Sequence, residues 1–207
     1  MRNRRTVSRY HLIRPLTGYI EHGETRHLGE IVEFSTAGFR LRLRDTSRAA
    51  FATLAGGYDF GEIIYKQDEI GGFGDIRYVR PEGNDLLIGF KWDDLHADEN
   101  IQKSFAIIAE LVAAGIAGCV NIGQGQVELA GHVSAALYDD VEQCVAQGIS
   151  RVSLREAISV DEGGLAMLIR LENEEIRLLD VSPEISALLQ RHRQQADSIY
   201  AYCRVAA

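Results

Sequence analysis

The chain has 207 residues, 46% apolar and 25% charged, with only 3 prolines, a composition that excludes disorder and collagen-like repeats. The net charge of −8 is unevenly spread, because residues 1–48 carry 10 arginines against 5 acidic residues while the rest carries 12 basic against 25 acidic. Such a balance argues against broad binding of nucleic-acid polymers and leaves a local anion site near the start. The basic start at residues 1–5 is followed by no apolar stretch, so no secretion signal is expected. Three cysteines without a CxxC pair predict a reduced, cytoplasmic protein without disulfides or structural zinc.

In chain order, Leu12–Ile20 and Leu28–Phe34 read as strands around a polar turn, and Phe39–Arg44 alternates strictly between apolar residues and Arg40, Arg42 and Arg44. Strands follow at Gly61–Lys66, Gly74–Arg80 and Leu86–Trp92, with Gly71-Gly72 and Pro81–Asp85 as hairpin turns. Six short strands predict a small antiparallel barrel. Asp98 is a candidate N-cap for a helix whose apolar stripe is Ile101, Phe105, Ile108 and Val112. Phe105–Ile122 is long enough to suggest a membrane span, but Glu110 and two glycines, Gly115 and Gly118, favour a core helix running into a strand.

The pattern changes near Gly115–Gly118. A strand pair at Gly118–Gly131, a helix from Ser134 to Gln147, a strand at Arg151–Ala157, a helix from Gly163 to Glu172, a strand at Glu175–Val181 and a helix opened by Ser182-Pro183-Glu184 alternate as in a mixed or parallel sheet packed with helices. The expected architecture is α+β in two domains, residues 1–115 and 118–207.

Two motifs carry chemistry. Arg5-x-x-x-Arg9 precedes the first strand, and Glu33-Phe-Ser35-Thr-Ala-Gly38 joins the second and third. An arginine fork can bond two phosphate oxygens or the O6/N7 edge of guanine. A carboxylate can accept from guanine N1 and N2, a serine hydroxyl can reach phosphate or ribose, and glycine admits a close approach of backbone. The bland alternative is that Arg2, Arg4, Arg5 and Arg9 form a solvated basic tail; Arg40, Arg42 and Arg44 can extend the positive face, although solvated barrel residues are the default reading for them.

With its motifs in this order, the segment from about residue 4 to 112 resembles a PilZ domain, the bacterial receptor for cyclic di-GMP. The family pattern is RxxxR followed by [D/N]xSxxG. The resemblance implies a six-stranded barrel closed by a C-terminal helix, with Arg5 and Arg9 on the ligand phosphates and guanine and with Glu33, Ser35 and Gly38 in the second motif. Arg4, just before the first motif arginine, resembles members that hold an intercalated ligand pair. Glu33 stands where the family has Asp or Asn, which moves the carboxylate by roughly 1.5 Å, about one carbon–carbon bond.

Residues from about 118 to 192 are similar to a STAS domain, the fold of anti-sigma factor antagonists. In its phosphorylated members a Ser or Thr acceptor opens a helix; here that position is Gly163, which has no hydroxyl, so the phosphoswitch is expected to be absent. The resemblance then implies a surface for an unidentified protein partner around Asp161, Glu162, Gly163, Gly164 and Leu165. His22, Glu24 and His27 read as turn residues rather than metal ligands, Asp93, Asp94 and His96 as acids and polar groups before a helix, and Cys119 and Cys144 as core. No GxSxG, Walker or HExxH motif is present, so no catalysis, metal or membrane insertion is expected. Three functions stay open: a cyclic di-GMP receptor and adaptor, an interaction scaffold of the same two domains that binds no nucleotide, or a sigma-factor switch phosphorylated within residues 118–192.

Overall fold

A computed structural model describes residues 8–44, 54, 56–93, 97–123 and 125–205, with side chains outside 97–99 and 195–205. Arg4, Arg5, Asp94 and His96 lie outside the described residues. The chain forms two compact units, Met1–Ala117 and Gly118–Ala207.

The first unit is a closed six-stranded antiparallel barrel. Its strands are β1 (Tyr10–His22), β2 (Thr25–Ser35), β3 (Gly38–Leu43), β4 (Tyr58–Tyr65), β5 (Asp68–Glu82) and β6 (Asp85–Trp92), in the order β1-β2-β3-β6-β5-β4. Pairing of β1 with β4, from Thr17 opposite Ile64 to Glu21 opposite Phe60, closes the ring and removes both sheet edges. Alternation decides which residues fill it: Phe34, Phe39, Leu41, Ile63, Ile88 and Trp92 are buried inside, while Arg40 and Arg42 between them face outward.

Two details depart from the sequence reading. Gly71-Gly72 is not a turn but the interior of β5, opposite Glu62 and Gly61; the chain reverses about five residues earlier, at Lys66-Gln67. A Cβ on Gly71 would lie 2.7 Å from the Phe60 ring, so glycine here makes room for an aromatic side chain. The helix α1 starts at Ala97 and ends at Ala113, which puts Asp98 inside its first turn rather than at the cap. Its buried face is Asn100, Ser104, Ile107, Ile108 and Leu111, and Phe105 is 61% exposed. The Asn100 amide donates to the Gly71 carbonyl at 3.2 Å, and this polar anchor turns the helix about one residue away from the apolar stripe.

The second unit is a mixed four-stranded sheet in the order β7 (Ala117–Gly123), β8 (Gln126–Val133), β9 (Arg151–Val160), β10 (Arg177–Leu179). β7 and β8 are antiparallel, and β8, β9 and β10 are parallel. After β8 a 3-10 turn at Ala135–Leu137 leads into α2 (Tyr138–Val145), so the helix expected from Ser134 is shorter; α3 (Glu162–Asn173) and α4 (Pro183–Val205) follow. β10 has three residues because Glu175 (φ 65°) and Asp180 (φ 53°) take left-handed conformations on either side of it. Val127, Leu129, Val152 and Leu154 from the sheet pack with Leu137, Val141, Leu168 and Leu171 from the helices in one core. Among the described residues no helix is long and apolar enough to cross a membrane.

Candidate functional site

The barrel carries one continuous row of residues across five strands. His11 on β1 lies opposite Glu33 on β2, Glu33 opposite Arg40 on β3, Arg40 opposite Gly89 on β6, and Gly89 opposite Tyr78 on β5. Three register shifts border this row, between His11 and Leu16, between Ile31 and Glu33, and between Ile76 and Tyr78. Bulges re-aim side chains. The last of them inserts Arg77 next to Tyr78, so that both residues line the same cavity.

That cavity has a volume of about 490 Å³ and is lined by Arg9, Glu33, Ser35, Gly38, Arg40, Arg77, Tyr78, Gly89 and Lys91, with Phe34, Ala37, Phe39 and Phe90 beneath. Four cationic side chains and one carboxylate therefore line one cavity. Glu33 is 6% exposed, and each of its oxygens meets a different arginine: Oε1 is 3.2 Å from Arg9 Nη1 and Oε2 is 3.0 Å from Arg40 Nη1. His11 Nδ1 approaches Oε2 at 3.8 Å. Arg40 is held from its other side, its Nε donating to the Tyr78 hydroxyl at 2.7 Å.

The turn between β2 and β3 is built by the other two motif residues. The Ser35 hydroxyl donates to the Gly38 carbonyl at 3.1 Å and accepts from the Ala37 N–H at 3.3 Å, a local serine turn. Gly38 has φ +154°, and a Cβ there would lie 2.1 Å from the Phe90 carbonyl oxygen. The glycine is thus required by close approach of β6, not only by open space for a ligand. The Trp92 N–H donates to the Ala37 carbonyl at 3.1 Å, tying the turn to the end of β6.

Of the residues read from the sequence, Arg9, Glu33, Ser35 and Gly38 come together in this cavity. Arg40, read as a solvated barrel residue, belongs with them, and Arg77, Tyr78 and Lys91 were not singled out. Strand alternation places Arg40 on the outer face, but only the β3–β6 and β5–β6 registers bring it to Tyr78. Gly89 is the local trace of this arrangement: a Cβ there would lie 2.2 Å from the Tyr78 ring, so the ring lies over the glycine.

In the second unit, Asp161 caps α3, its Oδ1 accepting from the Gly164 N–H at 2.7 Å. Its Oδ2 is 3.3 Å from His132 Nε2, and His132 Nδ1 shares a 2.8 Å hydrogen bond with the Ser159 hydroxyl, a contact without a local sequence signal. Glu162 is exposed and Gly163 half-buried. Gly164 and Leu165 are buried, and Leu165, 8% exposed, belongs to the core. Only Asp161 to Gly163 of the five residues thus reach the surface of this chain. A Cβ on Gly163 would lie 3.0 Å from the Ala135 Cβ, so that position is used for packing.

His22 Nδ1 pairs with Asp59 Oδ2 at 2.9 Å across β1 and β4. Burial pushes the His27 imidazole below its ordinary range, with His22 adding to the effect. Among the described residues no group of three or more His, Cys, Asp or Glu is placed to hold a metal ion.

No protein-family model matches the chain, and no curated protein does. Among solved structures it is similar to the PilZ domain of CeSA from a cellulose-synthesizing bacterium, at 10% identity and a TM-score of 0.34, over 45% of this chain and 93% of that one. It is also similar to the Bacillus subtilis inhibitor of motility MotI/DgrA, at 13% identity and a TM-score of 0.37, over 52% of this chain and 53% of that one.

Proposed function

We propose that the first unit is a receptor for cyclic di-GMP and that the second presents a surface to a protein partner. The observation that carries the reading is the convergence of Arg9, Glu33, Ser35, Gly38 and Arg40 on one cavity of about 490 Å³. A cyclic dinucleotide offers two phosphodiesters and two purines. Arg9, Arg40, Arg77 and Lys91 supply charge-assisted donors for the first, and the Tyr78 ring and guanidinium planes supply stacking faces for the second. In this reading Arg5, which completes the arginine motif with Arg9, and Arg4 just before it also bind the ligand. Asp161, Glu162 and Gly163 contribute to the partner surface, which needs no phosphorylation. The protein acts in the cytoplasm by binding alone, without a catalytic step or a metal.

The contact of Glu33 with both Arg9 and Arg40 favours a second reading, a scaffold that has lost its nucleotide. Titration calorimetry of the full chain with cyclic di-GMP separates the two. The receptor reading requires saturable heat that is lost in Arg9→Ala. Absence of heat from the native chain leaves the scaffold.

A further inference from the structure

We propose that Glu33 is a tethered competitor for the ligand phosphate, a latch that an incoming phosphodiester has to open. Because it concerns the same cavity, the proposal rests on the receptor reading for its physiological ligand. The latch follows from register. Glu33 sits directly between His11 and Arg40 on neighbouring strands, and its two oxygens divide between Arg9, at 3.2 Å, and Arg40, at 3.0 Å. A phosphodiester presents the same feature, two anionic oxygens on one centre, to the same two guanidinium groups. The carboxylate is covalently held within the site, so it competes at high effective concentration. It is also 6% exposed, so water screens its contact with the half-buried Arg40 poorly, while Arg9 is the more solvated partner.

The length of the side chain is what makes it a latch. An Asp at this position has a carboxylate about 1.5 Å further back, one carbon–carbon bond, and from there it cannot keep both contacts within hydrogen-bond range. Arg40 is the more firmly held of the two, since its Nε also donates to the Tyr78 hydroxyl at 2.7 Å. Opening therefore means rotation of Glu33 out of the cavity while Arg40 stays in place to receive the phosphate.

The test uses calorimetric titration of the full chain, as native protein, Glu33→Gln and Glu33→Asp, with cyclic di-GMP and with inorganic pyrophosphate as a probe that has no base. Losing one charge-assisted competitor is expected to tighten pyrophosphate binding about tenfold in Glu33→Gln, with a smaller gain in Glu33→Asp. Pyrophosphate binding unchanged or weakened in both variants overturns the latch. Where neutralising the carboxylate unfolds the barrel, shown by loss of the cooperative thermal transition, Glu33→Asp decides alone, since it keeps the charge. The receptor reading is judged separately, by cyclic di-GMP on the native chain. If cyclic di-GMP binds natively but weakens in Glu33→Gln while pyrophosphate is unaffected, Glu33 is an acceptor for the base edge and the latch falls alone. If the variants bind pyrophosphate more tightly but no protein takes cyclic di-GMP, the latch stands and the receptor reading falls. If no protein binds either compound, both fall.

Discussion

Replacing Gly89 by alanine tests the architecture of the row without touching a charge. The new Cβ would lie 2.2 Å from Tyr78 Cε1 and 2.6 Å from Cζ. An ordinary carbon–carbon contact is about 3.5 Å, so the ring has to move by roughly 1.3 Å. The Arg40 Nε contact to the Tyr78 hydroxyl, now 2.7 Å, would then stretch to about 4 Å and cease to be a hydrogen bond. Overpacking costs about 1–3 kcal/mol. A lost hydrogen bond to a charged group adds about 1.5–3 kcal/mol, which the remaining Glu33 contact and partial solvent access of Arg40 reduce. The expected total is about 2–3 kcal/mol, or a fall of roughly 1 M in the urea midpoint. Trp92, the single tryptophan, is buried in the barrel and reports unfolding of the first unit by fluorescence. The decisive comparison is the same substitution in a Tyr78→Ala background, where the ring is gone and Gly89→Ala should cost less than about 1 kcal/mol. An equal cost in both backgrounds would refute the account of Gly89 as the seat of the Tyr78 ring.

Three further outcomes follow from the same structure. Gly38→Ala brings a Cβ to 2.1 Å from the Phe90 carbonyl in a backbone conformation that suits glycine, so the β3–β6 pairing should loosen by about 2–4 kcal/mol, read as a lower urea midpoint of Trp92 fluorescence. Asp161→Ala removes the cap of α3 and should lower stability by about 1 kcal/mol, whereas Asp161→Asn keeps an acceptor for the Gly164 N–H and should cost less; far-ultraviolet circular dichroism melts compare them. Tyr19 is pushed up to about 12 by burial and then by the Glu62 carboxylate. The folded state holds this proton more tightly than the unfolded chain, so its contribution to stability is complete below pH 10 and is lost as pH rises towards 12. Tyr58, through its hydrogen bond to Asp93, and Tyr138, through burial, are also held above the ordinary tyrosine range, so absorbance titration should show a late component whose amplitude Tyr19→Phe lowers by one of the eight tyrosines; an unchanged amplitude would contradict it.

The β-strands were legible because alternation is a local property. Phe39 to Leu43 announces which side faces the core whatever the partner strand is, and Phe39, Leu41 and Leu43 are indeed buried. The stripe of α1 was misread because its anchoring contact, Asn100 with the Gly71 carbonyl, lies 29 residues away in the chain. The turn at Gly71-Gly72 was misread for a related reason: glycine marks a turn locally, but here it accommodates the Phe60 side chain from the neighbouring strand.

The sequence alone determined the strand and helix content, the two arginine- and serine-centred motifs and the concentration of positive charge at the start. Tertiary structure alone decided that Arg9, Glu33, Arg40 and Tyr78 share one cavity, and that the motif carboxylate is already engaged by two arginines. The reason is physical. Side-chain direction along a strand depends on the strand itself, whereas the residue opposite depends on bulges, closure of the barrel and the glycines that let neighbours approach. Arg40 and Tyr78 are 38 residues apart, and only the shared register with Gly89 makes them partners.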